Sequence, residues 1–241
     1  MTALLEVENL TKAFVGLVAV NDVSFSLQAG RITALIGPNG AGKTTCFNLV
    51  AGALRPTAGQ VLFEGRSLER EPPEAVCRMG IARTFQIVRP MKDMSVLENA
   101  MVGAFSWTTN VKEARDKAYE SLENVGLAGK ANARTDQLTL PDRKMLEMAK
   151  ALSTRPKLLL LDEVMAGLRP TEAAGVVGVL HRLAEGGLTI LLVEHVMRIV
   201  MEVASTVVVL HHGAKIAEGK PSEVVADPAV LESYLGAGFH A

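Results

Sequence analysis

Cysteine is scarce in this chain, with two residues in 241, Cys46 and Cys77, at no spacing that suits a metal. Cys46 follows Thr45 on an apolar helix face and reads as a core thiol. So cysteine-poor a chain fits a reducing cytoplasm. Excess charge is missing too: 25 Lys and Arg stand against 26 Asp and Glu, a net charge of −1. A nucleic-acid binder usually shows a basic face, so no nucleic-acid partner is expected. No apolar run approaches the roughly 18 residues of a membrane helix. Met1 to Leu10 carries Glu6 and Glu8 without a basic leader, and is not read as a signal peptide. Repeats, low-complexity tracts and sustained heptads are absent, as is an Asn-Lys-x-Asp guanine-reading motif. What remains is an ordinary folded composition, 49% hydrophobic and 21% charged, long enough for one large or two small domains.

Against that background, Gly37-Pro38-Asn39-Gly40-Ala41-Gly42-Lys43-Thr44 matches the phosphate-loop pattern of Gly, four residues, Gly-Lys-Thr. The apolar run Ile32 to Ile36 before it reads as a buried strand, and Thr45 to Ala51 after it as the start of a helix. Glycines let the backbone curl so that successive N–H groups face one anion, and the helix N-terminus adds its positive dipole end. Lys43 is placed for the outer phosphates and the Thr44 hydroxyl for Mg²⁺. A glycine-rich turn that binds nothing is the alternative, and the strand–loop–helix context argues against it.

Leu5-Glu6-Val7 and Val23 to Leu27 alternate as half-buried strands do, and Gln28-Ala29-Gly30 reads as a turn. Gly59–Phe63 and Ile81–Phe85 read as short strands, with a helix opening at Pro72-Pro73 and running to about Met79. From Val88 to Leu152 the pattern turns helical. Ser95 and Glu98 form a capping-box signature, and Val111 to Val125 has helical spacing closed by Gly126. Leu158 to Leu161 and Leu188 to Val193 are continuous apolar strands, expected where both faces are covered. Pro170 opens a helix to about Glu185 between them. Thr206–Leu210 and Lys215–Ala217 read as an antiparallel pair. Strands and helices alternating around a phosphate loop imply a mostly parallel sheet.

Asp162 and Glu163 end the run of four leucines, where a parallel strand presents its C-terminal edge to a ligand crevice. Asp162 is placed to hold Mg²⁺ through water, and Glu163 to polarise a water attacking a γ-phosphate. A plain acidic strand-end turn is the alternative. Gln86 ends the Ile81 strand and is a candidate for Mg²⁺ or water; by itself a strand-end glutamine is usually just solvated. His195 follows Leu191 to Glu194 and is a candidate donor to the γ-phosphate; a lone histidine is more often a core or surface residue.

The phosphate loop, Gln86, Asp162-Glu163 and His195 stand in the order and rough spacing of ATP-binding cassette ATPases, which the chain resembles over essentially its whole length. Within them it is most similar to the ATPase subunits of branched-chain amino-acid importers, in their larger-insert form. Leu17 to Phe25, Arg83-Thr84-Phe85-Gln86, Met94 to Asn99, Leu146 to Leu152, Ala166-Gly167-Leu168 and Pro228 to Gly236 carry the resemblance. It implies an α/β fold, a P-loop NTPase core of 1–87 and 154–220 with an N-terminal antiparallel β subdomain. A helical signature subdomain at 88–153 and a helical tail at 221–241 complete it. It implies ATP and Mg²⁺ as ligands, with residues 37–45, Thr45 included, around the phosphates. Phe14 would stack on adenine with Val20 packing nearby, although composition alone makes Phe14 equally a core residue. A second ATPase subunit would complete two head-to-tail ATP sites. Permease coupling helices would dock near Gln86 to Met94, with a solute-binding protein acting indirectly. The implied location is the cytoplasmic face of the inner membrane. Other readings are a nucleotide-dependent interaction subunit with little hydrolysis, or a cassette for urea, amides or lipopolysaccharide export; DNA repair lacks its coiled-coil arms.

The signature motif of that family, Leu-Ser-Gly-Gly-Gln, is replaced by Leu138-Thr139-Leu140-Pro141-Asp142. Thr139 keeps a hydroxyl for a facing γ-phosphate. Pro141 deletes an N–H donor, and Asp142 brings negative charge, with Arg143 and Lys144 expected to offset it. As helix chemistry the segment is sound: Thr139 as N-cap, Pro141 in the first turn, Asp142 at N3. Val164 stands where proline is common, and Arg169 where a small acid or amide is usual. These departures suggest an asymmetric pair of sites.

Overall fold

The computed structural model describes residues 3–84 and 90–235. In chain order it begins with β1 (Ala3–Phe14), β2 (Leu17–Gln28), β3 (Ile32–Ile36), α1 (Lys43–Val50), β4 (Ala58–Phe63), β5 (Arg66–Ser67) and α2 (Pro73–Met79). Then come β6 (Ile81–Arg83), α3 (Val96–Ala104), α4 (Val111–Asn124), α5 (Leu140–Leu152), β7 (Leu158–Asp162) and α6 (Pro170–Glu185). The chain closes with β8 (Thr189–Val193), α7 (Met197–Val203), β9 (Thr206–His211), β10 (Ala214–Gly219), α8 (Pro221–Val225) and α9 (Pro228–Leu235). Two compact units emerge, Met1–Pro73 with Thr189–Ala241, and Glu74–Leu188. No helix among the described residues is long and apolar enough to cross a membrane.

In the first unit, β2-β1-β4-β5 form an antiparallel sheet. Alternation sets its register: Leu5 pairs with Leu27 and with Phe63, and Val7 with Phe25 and with Val61, so one apolar face is buried. β3 lies parallel to both β8 and β9, and β10 pairs antiparallel with β9. All five residues of β3 and of β8 are buried, the physical reason their sequences run apolar without alternating. Ala34, Ile36, Val207 and Val209 pack on Val200, Val224 and Val230, so α7, α8 and α9 cover one face of this sheet.

In the second unit, β6 and β7 pair parallel, Ile81 opposite Leu158 and Arg83 opposite Leu160. The Ser95 hydroxyl accepts from the Glu98 N–H, and the Glu98 carboxylate accepts from the Ser95 N–H, the expected capping box at α3. α3 approaches α5 closely because Gly103 faces Lys150; a Cβ there would sit 2.0 Å from the Lys150 carbonyl oxygen. Asn99, fully buried, accepts from the Met91 N–H at 2.8 Å and donates to the Ser95 and Met91 carbonyls at 2.9 and 3.1 Å. One amide thus holds the loop ahead of α3. The Trp107 indole N–H donates to the Ser153 carbonyl, and the Arg155 guanidinium lies 3.3 Å from the Trp107 ring centroid.

Several elements differ from the sequence reading: β1 and β2 run well beyond the expected Leu5–Val7 and Val23–Leu27, and β5 was not anticipated. α7 was not anticipated: it is seven residues with no side-chain cap, too short for periodicity to register. The helix after the phosphate loop starts at Lys43 rather than Thr45, so Lys43 and Thr44 belong to its first turn. β6 ends at Arg83 within the described residues, and its expected end at Phe85 lies outside them. Cys46 is a core thiol as expected, its pKa pushed up to about 12 by burial.

Candidate functional site

The first unit holds the phosphate loop. β3 delivers the chain into Gly37, whose φ of 146° and position admit only glycine: a Cβ would lie 2.1 Å from the Leu210 carbonyl oxygen of β9. Gly42, at φ 98°, is equally constrained: a Cβ there would lie 2.3 Å from the Ala19 carbonyl oxygen of β2. The β9–β10 turn supports the loop from below, the Gly213 N–H donating to the Ala41 carbonyl at 3.1 Å and its carbonyl accepting from Asn21. Lys43 is 8% exposed and its Nζ arcs back to the Gly37 and Pro38 carbonyls at 2.7 and 2.9 Å. Its ammonium therefore stands over the loop that its own backbone forms.

α1 has no side-chain cap at Gly42 and no acidic residue in its first turn. Its positive dipole end is left for an external anion. Thr44 is exposed and Thr45 half-buried; Asn39 and Gly40 are exposed. The tail reaches this loop as well. Burial raises the pKa of the Tyr234 phenol, and a hydrogen bond with the Gly37 backbone works against that rise.

At the tip of the β1–β2 hairpin, Phe14 is 45% exposed, which removes the core reading. The Lys12 Nζ lies 5.3 Å from the ring centroid. Val20 is fully buried in β2, and His195 is exposed just past β8. Gln86 lies outside the described residues.

The second unit holds the acidic strand end and the altered signature. Asp162, 8% exposed, closes the buried run of β7. Burial pushes the Arg83 pKa down, and the Asp162 charge pushes it back up. Glu163 follows at φ 47°, left-handed backbone that a non-glycine residue adopts at a cost of about 1–3 kcal/mol. Such a backbone persists only where its surroundings over-determine it.

The start of α5 has the opposite character to that of α1. Thr139 caps it, its hydroxyl accepting from the Asp142 N–H at 3.3 Å and donating to the Asp142 carboxylate at 2.7 Å. The same carboxylate accepts the Thr139 N–H at 3.1 Å and the Lys130 ammonium at 2.6 Å. Pro141 at N2 has no N–H. The charge that offsets Asp142 comes from Lys130, not from Arg143 or Lys144 as the sequence suggested. The Arg143 Nε donates to the Leu138 carbonyl and Lys144 to the Glu163 carbonyl. No local spacing announces Lys130, which reaches Asp142 from a 3-10 turn at Ala128–Lys130.

Burial alone would raise the Asp142 pKa. Hydrogen bonds from Lys130 and Thr139 outweigh it and hold the carboxyl below its ordinary range. The stability it contributes is present above the unfolded value of about 3.9 and is lost as pH falls through the lower folded one. Asp142→Asn is therefore expected to flatten the fall of Tm between about pH 5 and pH 3, read by circular dichroism melts; an unchanged acid limb would refute the assignment.

The donors fit a nucleotide with a magnesium ion. No cluster of three or more metal-binding side chains exists among the described residues. Mg²⁺ needs none, since it characteristically takes one or two carboxylates, phosphate oxygens and water. Thr44 in the first unit carries an oxygen of the right kind, as does Asp162 in the second.

Comparison with known proteins supplies a family. Residues 20–166 match the model of the ABC transporter family, and residues 214–240 that of the branched-chain amino acid ATP-binding cassette transporter. The chain is 40% identical to the high-affinity branched-chain amino acid transport ATP-binding protein LivG of Salmonella typhimurium, covering 97% of this chain and 98% of that one. It is 37% identical to BraF of Pseudomonas aeruginosa, a protein of the same description, with the same coverage. Among solved structures, a nucleotide-free ATP-binding cassette from an ABC transporter superposes with a TM-score of 0.89 at 32% identity, covering 98% of this chain and all of the other. The ADP conformation of the cassette MJ1267 gives the same values.

Proposed function

The chain belongs to the ABC transporter family, and from that premise we propose that it is the ATP-hydrolysing subunit of an importer for branched-chain amino acids. The observation that carries the ATPase reading is the phosphate loop: glycine-only backbone, the Lys43 ammonium over it, and an uncapped helix end behind it. The solute follows from relatives named for branched-chain amino acid transport and from the matching tail.

In this reading the loop N–H groups and Lys43 hold the β- and γ-phosphates, and the Phe14 ring takes the adenine, with Val20 packing nearby. Thr44, Asp162 and Gln86 would hold Mg²⁺, which would supply positive charge against the phosphates. Glu163 accepts a proton from water as its oxygen bonds to the γ-phosphorus; the bond to the β–γ bridging oxygen breaks, leaving ADP and phosphate. His195 donates to the γ-phosphate. The chain works as one of two ATPase subunits on the cytoplasmic face of the inner membrane, against permease subunits fed by a solute-binding protein.

The α5 start favours unequal sites. Of its first backbone N–H groups, those of Thr139 and Asp142 are taken within the chain and Pro141 has none. Little remains there for the γ-phosphate of a facing subunit, so this chain's own ATP site, completed by its partner's signature, is the fast one.

Deleting the gene is expected to abolish energy-dependent uptake of radiolabelled leucine and to leave urea uptake intact. Loss of urea uptake with normal leucine uptake would reject the solute assignment.

A further inference from the structure

We propose that Lys144 is a positioning residue for Glu163, an inference that rests on the base role given to Glu163 above. Lys144 lies in the second turn of α5 and is 7% exposed. A lysine is rarely buried to that degree without a strong reason, because its ammonium loses water that only polar partners replace. Its Nζ is 3.4 Å from the carbonyl oxygen of Glu163. That carbonyl also accepts the Ala166 N–H at 3.0 Å. Val164 and Met165, the next two residues, are buried.

These contacts address one problem. Glu163 sits at φ 47°, a backbone state that a side-chain-bearing residue holds only when its surroundings over-determine it. The turn bond to Ala166 and the buried neighbours hold the chain after Glu163, and the ammonium holds the carbonyl from the side of α5. The direction of the Glu163 side chain follows from that backbone geometry. A general base must stand within hydrogen-bond reach of its water, and small misplacements are costly in rate. Lys144 acts through the backbone of Glu163. It also ties the strained turn to the helix whose first residues form the altered signature.

The test is a double-mutant cycle on ATP hydrolysis in the assembled transporter, with Lys144→Met and Lys144→Arg in wild-type and Glu163→Gln backgrounds. Methionine keeps the aliphatic stem and removes the charge. The expected result is a kcat about 10-fold lower for Lys144→Met, with KM and ATP affinity within about twofold, and most of the rate retained by Lys144→Arg. In the Glu163→Gln background Lys144→Met should change the residual rate by less than about twofold, since residues acting as a unit are not additive. Three outcomes overturn the proposal: a wild-type rate for Lys144→Met, the same 10-fold loss in both backgrounds, or failure of Lys144→Met to fold. A normal rate for Glu163→Gln alone would instead remove the base assignment itself, and Lys144 with it.

Discussion

Glu163→Gln is expected to lower ATP hydrolysis by about 10² to 10⁴-fold while leaving ATP affinity nearly unchanged. The amide keeps the size and shape of the side chain but cannot take a proton from water. The backbone at φ 47° is set by the turn and its buried neighbours, which the substitution leaves in place. Binding rests on other groups, the loop N–H donors and Lys43, so the two properties should separate. Hydrolysis is read as phosphate release and affinity by equilibrium titration with ATP. Near-normal hydrolysis would take the base role from Glu163; loss of binding along with hydrolysis would show that the residue shapes the nucleotide pocket instead.

The second large effect concerns the α5 start, and the Glu163→Gln background isolates it. With the chain's own ATP site silenced, residual hydrolysis in the assembled transporter reports the site that this chain completes for its partner. Pro141→Gly with Asp142→Gln should raise that residual rate by about 10 to 100-fold. The pair returns one backbone N–H, removes the negative charge and frees the Thr139 hydroxyl from the carboxylate it now serves. A donor to a charged group is worth about 2–3 kcal/mol, which sets the scale. Glutamine at N3 still accepts the Thr139 N–H, so the helix start should survive. An unchanged residual rate would show that the two sites are equal, or that the slow one is limited elsewhere.

The phosphate loop, the acidic strand end and most helices were legible in the sequence, each for a local reason. The loop is a glycine spacing with one backbone solution. β3, β7 and β8 are short continuous apolar runs, as strands covered on both faces have. α3 and α5 announce their starts through Ser95-Glu98 and Thr139-Asp142, side chains three residues apart that cap their own helix. Such signals lie within a few residues of the feature they predict, and no knowledge of the remainder of the chain is needed to read them.

Contacts between distant segments were decided by the tertiary structure alone. Gly37 is irreplaceable because Leu210 crosses behind it, 173 positions later, and Gly42 because β2 does. Phe14 stood equally as core or surface residue until the hairpin placed it at an exposed tip. The partner of Asp142 is Lys130 rather than its basic neighbours in sequence, because a helix turns Arg143 and Lys144 away from the side chain at N3. Glu163 was a candidate from its place after Asp162; that its backbone is strained, and that a buried lysine bears on it, became visible only when α5 was packed beside the turn. Local periodicity and capping determine which elements form, while charge pairing and close backbone approach depend on which elements the fold brings side by side.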